Sequence, residues 1–316
     1  MGVPWRIFGP SPRTSPLAAS IRSLSRAYST AGGRVQLVFD HHAPPNSDRH
    51  RQDAPIIFMH GLFGSKKNNR SVSKVLARDL KRHVYAIDLR NHGESPHANR
   101  HDYIAMADDV AGFIGEHGLK EPTLIGHSMG AKTAMTLALD QPSLISDIVS
   151  VDNAPIDATL SRDFATYIRG MRHIEEAGVT RQSEADSILA SYESDLGIRQ
   201  FLLGNAYRAP VAPDANDETN TKKNIVKFRI PLDFLAKSLD NMGDFPFHNP
   251  DESRFEKPAL FVRGTHSKYV PDEAIPIIGR FFPRFSLVDI GAGHWVISEK
   301  PAEFLQFAHA TFYARE

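Results

Sequence analysis

The chain has 316 residues, 37 Lys plus Arg against 37 Asp plus Glu, 41% apolar and 23% charged residues, and no cysteine. A balanced charge leaves no basic surplus to neutralise phosphates, which argues against a nucleic-acid partner. With no cysteine, disulfide frameworks, thiolate metal sites and thiol nucleophiles are excluded together, so any nucleophile must be an oxygen or a nitrogen. The length suits one catalytic core carrying one insertion, and no run of residues reaches the roughly 18 to 20 apolar positions of a membrane-spanning helix.

The N-terminal segment differs from the rest. Arg6, Arg13, Arg22, Arg26 and Arg34 fall before the first acidic residue, Asp40, among many Ser and Ala residues. Leu17, Ile21 and Leu24 share helical spacing, with Arg22 and Arg26 available to an opposite face. A basic, amphipathic, acid-free leader of this kind predicts a mitochondrial transit peptide over residues 1–33 and a matrix location. Arg26-Ala27-Tyr28-Ser29 resembles a processing site, which would start the mature chain near Ser29 or Thr30. A plain basic tail is the competing reading.

From Gly33 on, short β-branched runs alternate with helix-period segments, the pattern of a mostly parallel sheet covered on both faces. Strands are expected at Val35–Phe39, Ile56–Met59, Val84–Asp88, Thr123–Ile125, Ile148–Asp152, Ala259–Arg263 and Ser286–Ile290. Their apolar character suits strands buried on both faces. Helices are expected where Val72, Val75, Leu76 and Leu80, then Val110, Phe113 and Ile114, then Phe304, Leu305, Ala308 and Phe312 line up on single faces. The alternation lapses over residues 156–250, where helical pieces such as Tyr167–Glu176 and Ser183–Tyr192 follow one another with no strand between them. This reads as a helical cap inserted into a core formed by residues 34–155 and 251–316. Within the cap, the Pro-, Asp- and Asn-rich stretch Ala209–Lys223 reads as an exposed loop.

Gly126-His127-Ser128-Met129-Gly130 follows an apolar strand and opens a helix. Strand, sharp turn and helix are the context of a nucleophile elbow, in which glycines flank a serine held in a strained backbone. Such a serine attacks only if a base takes its proton. His294, in Gly291-Ala292-Gly293-His294-Trp295 just past the last strand, is the candidate base. The third member has two candidates. The loop after Ala259–Arg263, where an acid is commonly found, carries Ser267; Asp152, at the end of the preceding strand, is favoured, with Asp272 as its competitor and an Asx turn as the bland alternative for Asp152.

Acyl transfer also builds negative charge on a carbonyl oxygen, and each preorganised donor to it is worth about 3 kcal/mol. His60-Gly61-Leu62-Phe63-Gly64 follows the strand ending at Met59, so the N–H groups of Leu62 and Met129 are the expected oxyanion donors, with His60 bracing the loop. Asp88-Leu89-Arg90-Asn91-His92-Gly93-Glu94-Ser95 has the polar density of a metal site but lacks a second cluster with ligand spacing, and reads as a buttress between loops. No cofactor and no metal are called for.

These motifs resemble a known group, the mitochondrial α/β-hydrolase-domain esterases that include the yeast ethanol acetyltransferases and bacterial short-chain esterases. The likeness runs from about Val35 to the C-terminus and rests on His-Gly-Leu-Phe-Gly from His60, Asp-Leu-Arg-Asn-His-Gly from Asp88, Gly-His-Ser-Met-Gly from Gly126, Val-Asp-Asn-Ala-Pro from Val151 and Gly-Ala-Gly-His-Trp from Gly291. It implies an α/β-hydrolase fold with an eight-stranded, mostly parallel sheet, and an acid at Asp152. It further implies hydrolysis of short-chain acyl esters or thioesters through an acyl-serine, or transfer of acetyl from acetyl-CoA to an alcohol. The competing function is a catalytically silent protein of the same fold that binds a mitochondrial partner. Nothing in the sequence sets an oligomeric state.

Overall fold

The computed structural model describes residues 33–45, 54–158, 160, 162–210 and 224–313. All but the last residue of the proposed leader therefore lies outside the described residues, as does most of the loop expected at Ala209–Lys223.

In chain order the core begins with β1 (Phe39–His42), β2 (Ile56–Met59), α1 (Arg70–Leu80), β3 (Val84–Ile87), α2 (Tyr103–Glu116), β4 (Thr123–His127), α3 (Met129–Asp140) and β5 (Asp147–Val151). A second stretch follows: α4 (Arg162–Ala177), α5 (Gln182–Leu189), α6 (Leu196–Leu203), β6 (Ala206–Pro210), β7 (Asn224–Phe228), α7 (Leu232–Lys237) and α8 (Leu239–Gly243). The chain then rejoins the core with β8 (Ala259–Gly264), α9 (Ile275–Phe281), β9 (Phe285–Ile290), α10 (Val296–Glu299) and α11 (Pro301–Tyr313). Among the described residues, no helix is long and apolar enough to cross a membrane.

The main sheet runs β1-β3-β2-β4-β5-β8-β9. Only β1 is antiparallel to its neighbour; the other pairs are parallel. Among the described residues it has seven strands, where eight were expected. The first strand also sits later than the apolar run Val35–Phe39 suggests. Val35 N–H donates to Asp109 and Val38 N–H to Ser95 Oγ, so these backbone groups are satisfied by side chains and ladder pairing starts only at Phe39.

Strand periodicity feeds two cores. Ile57 and Met59 of β2 pack with Met106, Val110 and Phe113 of α2 and Met135 of α3. Ile56 and Phe58 face the opposite side, against Val72 and Leu76 of α1 and Phe304 of α11. Covered on both sides, the central strands are fully buried, which is why their sequences are continuously apolar.

The inserted stretch is helical as expected, with one correction: β6 and β7 form a two-stranded antiparallel sheet of their own. Tyr207, Arg208 and Pro210 of β6 are exposed, so this strand has no alternating apolar face from which to read it.

Candidate active site

The β4–α3 junction holds Ser128 at φ 53°, ψ −112°, a conformation that L-residues rarely adopt. The strain is maintained from both sides. A Cβ on Gly126 would lie 2.1 Å from the Gly130 carbonyl oxygen, and one on Gly130 would lie 2.7 Å from that of Met59. Any other residue at either position would push the turn open. Ser128 N–H is fixed by Val151 C=O at 2.9 Å, leaving the side chain as the mobile group.

Three distant residues meet there. His294 Nε2 lies 2.9 Å from Ser128 Oγ, and His294 Nδ1 lies 2.7 Å from Asp152 Oδ2. Asp152 is fully buried just past β5, with its N–H donated to Val262. Its carboxylate accepts two more hydrogen bonds, from Gly264 N–H (3.0 Å, to Oδ1) and from the Ser267 hydroxyl (2.5 Å, to Oδ2). A buried carboxylate so satisfied is held in one orientation. Asp272, the other sequence candidate, is 83% exposed and paired with Arg263, away from this cluster.

The loop carrying Leu62 lies against the nucleophile turn, which Met129 follows. Leu62 and Met129 are buried. Met129 is the first residue of α3, where an N–H has no helical acceptor. Leu62 N–H has no protein partner among the described residues. A Cβ on Gly61 would lie 3.3 Å from Ser128 Cβ, so this loop abuts the nucleophile turn.

Two buried histidines brace that loop. His60 Nδ1 donates to Gly61 C=O (2.8 Å) while its Nε2 accepts from Leu89 N–H (3.0 Å). His92 Nδ1 donates to Arg90 C=O (3.0 Å) and its Nε2 accepts Phe63 N–H (3.1 Å). Both pairings need neutral rings, and burial pushes both pKa values below the ordinary histidine range. The rest of the Asp88–Ser95 segment is likewise a brace. Asp88 binds Lys66 through its N–H and Nζ at 2.6 and 2.7 Å, and Arg90 grips Asp109 with two hydrogen bonds at 2.6 and 2.7 Å. Among the described residues no His, Asp and Glu group has the geometry to hold a metal ion.

Four supporting residues carried no signal of their role in the sequence. His127 Nε2 donates to His294 C=O at 2.7 Å, tying the base to the elbow. Asn153 Nδ2 donates to Ser128 C=O at 3.1 Å. The Tyr269 ring lies 4.1 Å from the His294 ring, centroid to centroid. Ser267, noted above only as the place where an acid was missing, is a donor to the acid that is present.

His294 opens onto a cavity of about 1020 Å³ between the inserted helices and the core, lined among others by Leu160, Phe164, Tyr167, Phe201, Tyr269 and Trp295. Arg162, Asp163, Lys268 and Glu299 add charge to its walls.

Residues 54–301 match the family described as alpha/beta hydrolase fold. The chain is similar to a probable alcohol acetyltransferase of Saccharomyces cerevisiae, 41% identical over 83% of this chain and 78% of that protein. It is also similar to the sn-1-specific diacylglycerol lipase ABHD11 of Xenopus laevis, 38% identical over 79% of this chain and 77% of the lipase. A solved marine microorganism esterase superposes with a TM-score of 0.76 at 31% identity, covering 87% of this chain and 99% of the esterase. The chain belongs to the α/β-hydrolase fold family.

Proposed function

We propose that the protein is a serine ester hydrolase or acyltransferase that forms an acyl-enzyme on Ser128. The observation that carries this reading is the unbroken hydrogen-bonded chain from Ser128 Oγ through His294 to Asp152, at 2.9 and 2.7 Å. The neighbouring acetyltransferase, lipase and esterase relatives support the same reaction class.

In the proposed reaction, Ser128 Oγ attacks the acyl carbon as His294 Nε2 takes its proton, and Asp152 stabilises the imidazolium that forms. Negative charge moves to the former carbonyl oxygen, where the N–H groups of Leu62 and Met129 would hold it. The tetrahedral adduct collapses, His294 returns the proton to the departing alcohol or thiol, and the acyl group remains on Ser128. Water or an alcohol then repeats the sequence in reverse, releasing an acid or a new ester. Every step draws on protein groups alone. Short-chain acyl esters and thioesters, acetyl-CoA included, are the proposed donors, and the cavity has room for a bulky leaving group behind a short acyl chain.

The test is labelling with a fluorophosphonate probe. Wild-type protein should label and Ser128→Ala should not; an unreactive wild type would favour a catalytically silent binding protein.

We also propose import into mitochondria, on the strength of the acid-free, arginine-rich leader in the sequence. Fusing residues 1–33 to a fluorescent reporter should send it to mitochondria, and a cytosolic reporter would refute the proposal.

A further inference from the structure

A second, much smaller chamber of about 30 Å³ shares Phe201 and Trp295 with the main cavity. The two rings, 4.5 Å apart at their centroids, line both spaces, as does Ser298. The small chamber's inner wall is buried: His60, Gly61, Asn69 and His127. Asn68 and Ser298, both exposed, line it as well and give it a solvent side.

Its chemistry is that of a site for a small hydroxylic molecule. Asn69 is 96% buried (4% exposed), and among the described residues its Nδ2 has no hydrogen-bond partner. A buried donor left unpaired is costly, and a water or alcohol oxygen would satisfy it. His127 supplies the complementary group. Because its Nε2 donates to His294 C=O, its Nδ1 carries a lone pair, and burial lowers its pKa to about 4, which keeps the ring neutral. The volume exceeds the roughly 10 to 15 Å³ that one water requires, yet is far too small for an acyl donor. The chamber also borders the nucleophile: a Cβ on Gly61 would lie 3.0 Å from His127 Nδ1 and 3.3 Å from Ser128 Cβ.

We propose that this chamber is the acceptor site: it takes in the water or short alcohol that removes the acyl group from Ser128, by a way separate from the cavity that receives the acyl donor. The bond formed is between the acceptor oxygen and the acyl carbon, the bond broken joins that carbon to Ser128 Oγ, and the acceptor's proton passes through His294 to Ser128. The inference rests on the acyl-Ser128 reading above. Size and polarity in the chamber then set which acceptor wins, water or alcohol.

The experiment is single-turnover and steady-state kinetics of full-length protein with p-nitrophenyl acetate, with and without ethanol. The p-nitrophenol burst reports acylation, and steady-state release of acetate and ethyl acetate reports deacylation and its partition. Asn69→Leu should leave the burst within about twofold and slow deacylation about tenfold, the effect of losing one hydrogen bond to the acceptor. Asn69→Ala, which enlarges the chamber, should raise the ratio of ethyl acetate to acetate. Should Asn69→Leu fail to fold, Asn68→Trp, a change at an exposed position that lines the small chamber and not the large cavity, would narrow the solvent side and should slow deacylation more than acylation. Variants with unchanged deacylation and an unchanged product ratio, or with burst and deacylation reduced equally, would overturn the proposal. Failure to trap an acetyl group on Ser128 of the wild type by acid quench would instead refute the acyl-Ser128 reading itself.

Discussion

Ser267 and His294 donate to the same oxygen, Asp152 Oδ2, at 2.5 and 2.7 Å. The carboxylate therefore has no freedom to rotate away from the imidazole, and Gly264 N–H locks its other oxygen.

Removing the serine hydroxyl leaves Asp152 less firmly aimed. Ser267→Ala should lower kcat about five- to tenfold with KM nearly unchanged, the expected cost of one hydrogen bond to a charged group. Ser267→Thr, which keeps the hydroxyl, should restore most of the rate. Steady-state kinetics on a p-nitrophenyl ester reads both numbers, and a loss confined to KM would contradict the role given to Ser267.

The same geometry predicts which acid matters. Asp152→Asn should cost about 10⁴-fold in kcat, because the amide favours the wrong imidazole tautomer. Asp272→Asn, at an exposed residue bound to Arg263, should retain near wild-type turnover. Since Ser267 stands within hydrogen-bond reach of Asp152, pairing Asp152→Asn with Ser267→Asp should recover part of the lost rate. Equal losses in the Asp152 and Asp272 variants would refute the assignment.

Lys132 secures the inserted helices to the core. It is buried on α3, and its ammonium donates to the carbonyls of Gly243 and Asp244 at 2.8 and 2.9 Å. Lys132→Met leaves those carbonyls unpaired and should destabilise the fold by about 1–3 kcal/mol at pH 7. Burial lowers the amine's pKa from 10.5 to about 8. Between these values the unfolded chain holds a proton that the folded one has released, so the lysine's contribution to stability rises with pH across that window, by on the order of 3 kcal/mol. Urea unfolding at pH 7.5 and 10 should show the wild type gaining on the variant. A constant difference would mean that the amine is not titrating there.

Buried neutral histidines act with the same sign at the acid end. Burial lowers His101 to about 3 and His127 to about 4, from an ordinary value of 6.5. Above pH 6.5 both states are neutral and their contribution is fully present; as pH falls from 6.5 towards those values the unfolded chain takes up protons that the folded chain refuses, and stability is lost. His127→Gln, which can keep a donor towards His294 C=O, should lose about 2–3 kcal/mol less than the wild type between pH 6.5 and 4.5. Urea titrations at the two pH values decide this, and identical losses would contradict it.

What could be read from the sequence follows a physical division. Ile56–Met59 is a strand in both readings because four consecutive apolar residues leave a doubly covered strand little alternative. Ser128, Asp152 and His294 were legible because each sits at a strand end, where local signals of strand and turn place a side chain at the rim of the sheet. The strand at Phe39–His42 was misplaced because Phe-Asp-His-His lies at the sheet edge, half exposed, where polarity is tolerated. The hairpin of β6 and β7 was missed because its stability comes from ladder pairing between segments separated by residues 211–223, a non-local property. Ser267, Tyr269 and His127 act on His294 or its acid across long stretches of chain, and no local pattern announces such contacts.

In the proposed reaction Ser128 carries the acyl group. Rapid acid quench after mixing with p-nitrophenyl acetate, followed by proteolysis and mass spectrometry, should find one acetyl group, on the peptide containing Ser128, and none in Ser128→Ala. An acetyl group on another residue, or turnover by Ser128→Ala at the wild-type rate, would contradict it.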